Sequence, residues 1–170
     1  MFRKILAPLD GSRLAEKALP YVEEIARKFD AEVVLGWVIQ LRPPAIPEYE
    51  AAAYGLTPLL DTSSERERAR AYLQGIQQRL QQHQIRSSIK IVESHAIADA
   101  IVAIADDSGV DLIAKTTYAR LGPSRWLHGN IAAQVLKRSS CPLFLVRVSE
   151  DEADRLAGED ATYSAPVRSE

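Results

Sequence analysis

Residues 3–12 read Arg3-Lys4-Ile5-Leu6-Ala7-Pro8-Leu9-Asp10-Gly11-Ser12, and this stretch decides the fold class. A short apolar run ended by turn-forming residues reads as a strand buried on both faces. Beyond the turn, Ala15, Ala18, Leu19, Val22, Ile25 and Ala26 repeat at helical spacing. Ser12 stands where its hydroxyl accepts from the unpaired N–H groups of a first helical turn. A helix over 13–29 is therefore predicted. Pro20 lies inside it and is expected to remove a backbone bond and bend the helix, at a cost of about 3 kcal/mol.

The same alternation continues outward. Residues 31–39 form a near-continuous apolar run, the pattern of a parallel strand covered on both sides. Residues 41–58 contain Pro43, Pro44, Pro47, Gly55 and Pro58 and read as a surface excursion. From 61 to 83, good helix formers carry one apolar stripe of Ala69, Tyr72, Leu73, Ile76 and Leu80. A third strand is predicted over 88–92, a third helix over 97–107 and a fourth strand over 110–114. Ile131, Ala132, Val135 and Leu136 mark a fourth helix before a last strand over 142–148. Five strands alternating with four helices imply an α/β fold, a three-layer α/β/α sandwich with a five-stranded parallel sheet. Ligands on such sheets sit beyond the carboxyl ends of the strands, where the strand order switches. The domain is expected to span 1–148. The acidic segment 149–170 shows no sustained apolar period and is expected to be a mobile tail. No internal repeat points to a second copy of the fold.

Composition narrows the function. Lys and Arg number 21 against 23 Asp and Glu, a net charge of −2, so no basic field points to nucleic acid as a partner. No apolar run approaches the length of a membrane span, and the stretch before Pro8 is too short for a secretory signal. With Cys141 as the one cysteine, a disulfide framework is excluded and a reducing, cytoplasmic location is expected.

The chain resembles the universal stress protein family over 1–148. The resemblance rests on the opening Lys4-Ile5-Leu6-Ala7-Pro8-Leu9-Asp10-Gly11-Ser12 and on the 97–113 stretch with Gly109-Val110-Asp111-Leu112-Ile113. Its most specific part is the close, Gly129-Asn130-Ile131-Ala132-Ala133 through Ser140-Cys141-Pro142-Leu143. It implies a Rossmann-like fold of the adenine nucleotide alpha hydrolase-like kind, a homodimer through strand 142–148, and in many members an ATP or AMP pocket. Only magnesium carried by the nucleotide is expected as a metal. The family's phosphate loop has the form Gly, two residues, Gly, nine residues, Gly, then Ser or Thr. Here those positions hold Thr116, Ala119, Gly129 and Asn130, so two of three glycines are missing. A loop that wraps phosphate presents consecutive N–H groups, often at positive φ, where Ala119 would be penalised by about 1–2 kcal/mol and the β-branched Thr116 by more.

The resemblance also implies that Asp10 approaches the ribose, that the Val38 backbone meets the base, and that Pro8, Lys115 and Ile131 line the pocket. Asp10 has a second reading, as the cap of helix one or the residue that closes the Asp-Gly turn. Gly129 and Asn130 open helix four, where free N–H groups favour an anion, and Lys115, Arg120, Arg125 and His128 flank them. Those cations read equally well as solvated loop charges.

No catalytic set stands out. His83, His95 and His128 lie on different elements without metal-ligand spacing. Cys141 before Pro142 reads as packing. No Gly-x-Ser-x-Gly elbow occurs. Trp37 reads as core or interface, and Trp126 as a cover for its loop, a ligand or a partner. The charge run 65–70 reads as a solvated helix face paired within itself. Two functional readings follow: a stress-response module with a weak adenine-nucleotide pocket and at most slow hydrolysis, or a homodimeric interaction protein that has lost the nucleotide.

Overall fold

The computed structural model describes residues 1–41, 62–118 and 131–163. Within them five strands form one parallel sheet: β1 (Lys4–Leu9), β2 (Glu32–Gln40), β3 (Ser87–Ser94), β4 (Leu112–Tyr118) and β5 (Leu143–Val148). Their order is β3-β2-β1-β4-β5, so the chain moves outward from β1 on one side and then returns to its other side. The described helices are α1 (Arg13–Glu16), α2 (Leu19–Phe29), α3 (Ser63–Gln82), α4 (Ile97–Ser108), α5 (Ile131–Arg138) and α6 (Glu150–Tyr163).

Alternation along the strands divides the core into two layers. On one face Ile5, Ala7, Leu9, Val33 and Leu35 meet Leu19 and Val22 of α2 and Leu73, Ile76 and Leu80 of α3. On the other Leu6, Val34 and Ile113 meet Ala98, Ile101 and Ile104 of α4 and Val135 of α5. This is the three-layer sandwich that the sequence predicts.

Four details depart from expectation. The predicted 13–29 helix is two helices, broken by a tight turn in which the N–H groups of Lys17 and Ala18 donate to Leu14 and Ala15 at 3.2 and 3.4 Å. Pro20 therefore falls at the start of α2, where its missing N–H would have had no partner, and the expected cost is not incurred. Strand β4 begins and ends later than predicted. Gly109, at φ 61°, closes α4 and delays the strand to Leu112, while Lys115–Tyr118 extend it by pairing with Leu145–Val148. Leu136, expected in the apolar stripe of its helix, is 58% exposed, because Ala132 and Val135 already occupy the core-facing side of the short α5.

The fourth departure concerns the segment after residue 148: where the sequence shows no sustained apolar period, the chain forms α6, with Ala153 and Leu156 buried. Six helices among the described residues thus replace the predicted four. The excursion over 41–58 lies outside the described residues apart from Leu41.

Candidate functional site

The site starts from a gap in the sheet. β1 pairs with β2 as far as Leu9 and Trp37, and β4 pairs with β5 as far as Tyr118 and Val148. Between β1 and β4 the ladder holds only Ile5 with Leu112 and Leu6 with Ile113. Past that point the two central strands no longer pair, at the switch in strand order where sheets of this kind take ligands into a crevice beyond their carboxyl ends. Pro8 to Asp10 form one wall and Lys115 onward the other.

Alternation sorts the sequence-predicted residues onto faces. Val38 and Ile131 pack against the core cluster of the α4 and α5 side. Pro8 lies two residues beyond Leu6, and Lys115 two beyond Ile113, so both face that side as well. Pro8, Val38, Lys115 and Ile131 are thus gathered at one end of one face. Thr116 is not with them. Buried on the opposite face, its hydroxyl donates to the Ala15 carbonyl of α1 at 3.4 Å. It is a strand residue holding a helix rather than part of a loop. Ala119, Gly129 and Asn130 lie outside the described residues, as do Arg120, Arg125, Trp126 and His128.

The turn after β1 is built by a small network. Ser12 caps α1, its Oγ accepting from the Ala15 N–H at 3.1 Å. Asp10 Oδ1 in turn accepts from the Ser12 N–H at 3.0 Å and from the Ser12 hydroxyl at 2.6 Å. Asp10 therefore closes the turn with one oxygen while its exposed carboxylate keeps the other towards solvent. Gly11 between them has φ 83°, in the left-handed region. A Cβ there would lie 2.9 Å from Cη2 of Trp37, so glycine is demanded twice.

Among the described residues Lys115 is the cation of this site. Burial pushes its ammonium pKa down, while the Asp10 carboxylate opposes that shift. Among the described residues it forms no hydrogen bond or ion pair at salt-bridge distance. An amine so placed, across a crevice from a carboxylate, suits a polar ligand with an anionic group.

Other chemistry-bearing residues are engaged structurally. Burial raises the Cys141 thiol pKa, and the Asp111 and Asp106 carboxylates add to this, so the thiolate is disfavoured. His83 Nδ1 lies 3.0 Å from Glu23, which also binds Arg79, and His95 meets the Leu41 carbonyl at 2.9 Å. Among the described residues no group of three His, Cys, Asp or Glu could hold a metal ion. Among them, too, no helix is long and apolar enough to cross a membrane. Within the charge run, Arg66 reaches across to Glu93 of β3 rather than along its own helix. That guanidinium, with the Thr62 hydroxyl, lowers the Glu93 pKa.

Two features of the site escaped the sequence. Trp37 packs against both Gly11 and Tyr72, with 5.6 Å between ring centroids. The alternation Val33, Leu35, Trp37 carried the signal for its face. Tyr72 donates its hydroxyl to Glu16 at 2.7 Å, which with burial raises its pKa far above the ordinary range and ties α3 to α1.

Comparison with known proteins agrees with this architecture. A sequence model of the universal stress protein family matches residues 1–147. The chain is 27% identical over 152 residues to universal stress protein MJ0531 of Methanocaldococcus jannaschii, covering 89% of this chain and 86% of that protein. The solved structure of MJ0577, from the same organism, superposes with a TM-score of 0.66 at 27% identity, covering 88% of this chain and 99% of that one. A universal stress protein family structure from Arabidopsis thaliana with AMP bound shares the fold, at a TM-score of 0.56 and 15% identity over 88% of this chain and 94% of that one. With a family match over nearly the whole sheet and its helices, the chain belongs to the universal stress protein family.

Proposed function

We propose that the chain is a stress-response module whose switch-point crevice binds an adenine nucleotide weakly. The early end of the β1–β4 ladder, which leaves Asp10 and Lys115 on opposite walls, carries this reading. Val38 supplies a backbone edge for the base, Asp10 an acceptor for ribose hydroxyls, and Lys115 a cation for phosphate. The family structures with AMP and with cAMP bound support the ligand class. Weakness follows from a phosphate loop short of two of the family's glycines: Thr116 is drawn into β4 with its hydroxyl on the opposite face, and Ala119 stands at the second position in the sequence. A loss of about 1–2 kcal/mol at the phosphate loop lowers affinity several-fold to tens-fold. Among the described residues Lys115 is the perturbed cation and Cys141 is held as a thiol; we assign the site at most slow hydrolysis, with magnesium entering only with the nucleotide. The thiol suits a cytoplasmic setting.

Calorimetric titration of the purified chain with ATP and AMP, with and without magnesium, tests the proposal. Binding in the high micromolar to millimolar range is expected, and Asp10→Ala should weaken it by about tenfold, the cost of one hydrogen bond to a charged group. Absence of heat at millimolar nucleotide would reject it.

The second reading is a homodimeric interaction protein of the same family that has lost the nucleotide, paired through β5. Among the described residues β5 pairs only with β4, Leu145 is 38% exposed, and Tyr21, itself 51% exposed, packs on Phe144 with 5.8 Å between ring centroids. An apolar edge of this kind associates unless covered. Leu145→Lys should convert the dimer to monomer or insoluble protein in size-exclusion chromatography; an unchanged dimer peak would count against this edge.

A further inference from the structure

Helix α6 lies beyond the residues matched by the family. Over 150–163 the sequence holds six carboxylates, Glu150, Asp151, Glu152, Asp154, Glu159 and Asp160, against the single cation Arg155. Among its described side chains the buried apolar ones are Ala153 and Leu156. Glu152, Leu156 and Glu159 follow one another at i, i+4 and i+7, which places them on one helical face. That face lies on α1. Glu152 Oε1 is 2.6 Å from Lys17 Nζ, and Glu159 Oε2 accepts from Arg13 Nη1 at 2.7 Å. Arg13 is the first residue of α1 and Lys17 its C-cap, so α6 clasps the short helix at both ends.

α1 itself contributes no buried residue to the core. Its other anchors include the partly buried Ala15, which packs on the core, the Ser12 cap, the Thr116 bond to Ala15 and the Tyr72 bond to Glu16. The cap belongs to the network that shapes Asp10 and Gly11. Leu156 of α6 and Gly11 line the same groove, of about 880 Å³, together with Lys17 and Tyr72. We infer that α6 is an electrostatic strap: by clasping α1 through Lys17 and Arg13 it holds the Asp10–Gly11–Ser12 turn at the mouth of the crevice. Both ion pairs are partly exposed, and such pairs hold weakly and yield to salt. With so little apolar burial behind them, the strap opens by local unfolding without disturbing the sheet. Its release loosens the turn whatever ligand the crevice takes.

Amide hydrogen exchange on the full chain tests the strap. At about 1 M salt the Debye length falls to about 3 Å, so exchange over 150–163 and over 11–17 should quicken together by roughly 3- to 10-fold relative to low salt, with the β1 and β2 amides unchanged. Lys17→Glu should reproduce the effect at low salt, and the swap Lys17→Glu with Glu152→Lys should reverse it. If α6 opens while 11–17 keep their protection, or if neither salt nor the swap changes exchange, the strap is refuted. The wild-type salt series decides the matter even where Lys17→Glu folds poorly.

Discussion

Gly11→Val should destabilise the chain by about 2–5 kcal/mol, the largest effect expected from any change at the site. Two costs combine. At φ 83° a β-branched side chain is strained, by about 1–2 kcal/mol for an ordinary L residue and by more for valine. The new Cβ would also stand 2.9 Å from the Trp37 ring, which cannot retreat freely because Tyr72 packs against it. Forcing such a contact costs about 1–3 kcal/mol. Chemical denaturation should report the loss as a lower midpoint with little change in slope. Gly11→Ala should show a smaller loss of the same kind. A near-neutral Gly11→Val would mean that the turn relaxes without strain and that Trp37 does not brace it.

Lys115→Met should act in opposite directions on stability and on binding. Burial lowers the pKa of this ammonium in the folded chain, so between that value and the ordinary lysine range the unfolded chain binds more protons. Stability then rises with pH across that window, and at pH 7 the charged amine burdens the fold. Replacing it by methionine, of similar length and without charge, should raise the thermal midpoint by about 2–4 °C, the size of a 1 kcal/mol gain in a chain of this length. The gain should shrink as pH approaches about 10.4, where an ordinary lysine loses its charge. Nucleotide affinity should fall by about 10- to 100-fold, as expected for a lost hydrogen bond to a charged phosphate. Thermal melts at neutral and high pH, beside a titration with AMP, measure both effects. A lower midpoint at pH 7 would show that Lys115 serves the fold rather than the crevice.

The contrast between these residues shows what the sequence makes legible. Buried strands and amphipathic helices announce themselves because one physical demand, covering the sheet on both faces, repeats at every element from Ile5 to Val148. Pro20 signals a disturbance correctly, but only the tight turn at Lys17 and Ala18 reveals that the helix restarts there. The end of β4 is hidden because Lys115, Thr116 and Thr117 show no apolar pattern; they become strand by pairing with β5, about thirty residues further along the chain. Helix α6 is hidden for a related reason. Its contacts are the buried Ala153 and Leu156 and carboxylates reaching cations near the start of the chain, and so short an apolar face with distant charge pairing leaves no local period.

The same distinction holds at the site. Asp10, Gly11 and Ser12 are readable because turn chemistry is local, and the structure adds that Ser12 caps while Asp10 orients Ser12. Thr116 is readable only as a missing glycine; that its hydroxyl turns to the α1 carbonyl is a property of strand alternation in three dimensions. The crevice itself follows from a ladder that stops after two residue pairs, which no spacing in the sequence announces.

Whether that crevice holds an adenine nucleotide is tested most directly by chemical-shift mapping of the labelled full-length chain during titration with AMP. Saturable shifts are expected at the amides of Leu9, Asp10, Gly11 and Ser12, at Val38 and Ile39, and at Lys115 to Thr117, on the two walls of the gap between β1 and β4. Spectra that stay unchanged at millimolar AMP, or shifts confined to residues away from these walls, would contradict it.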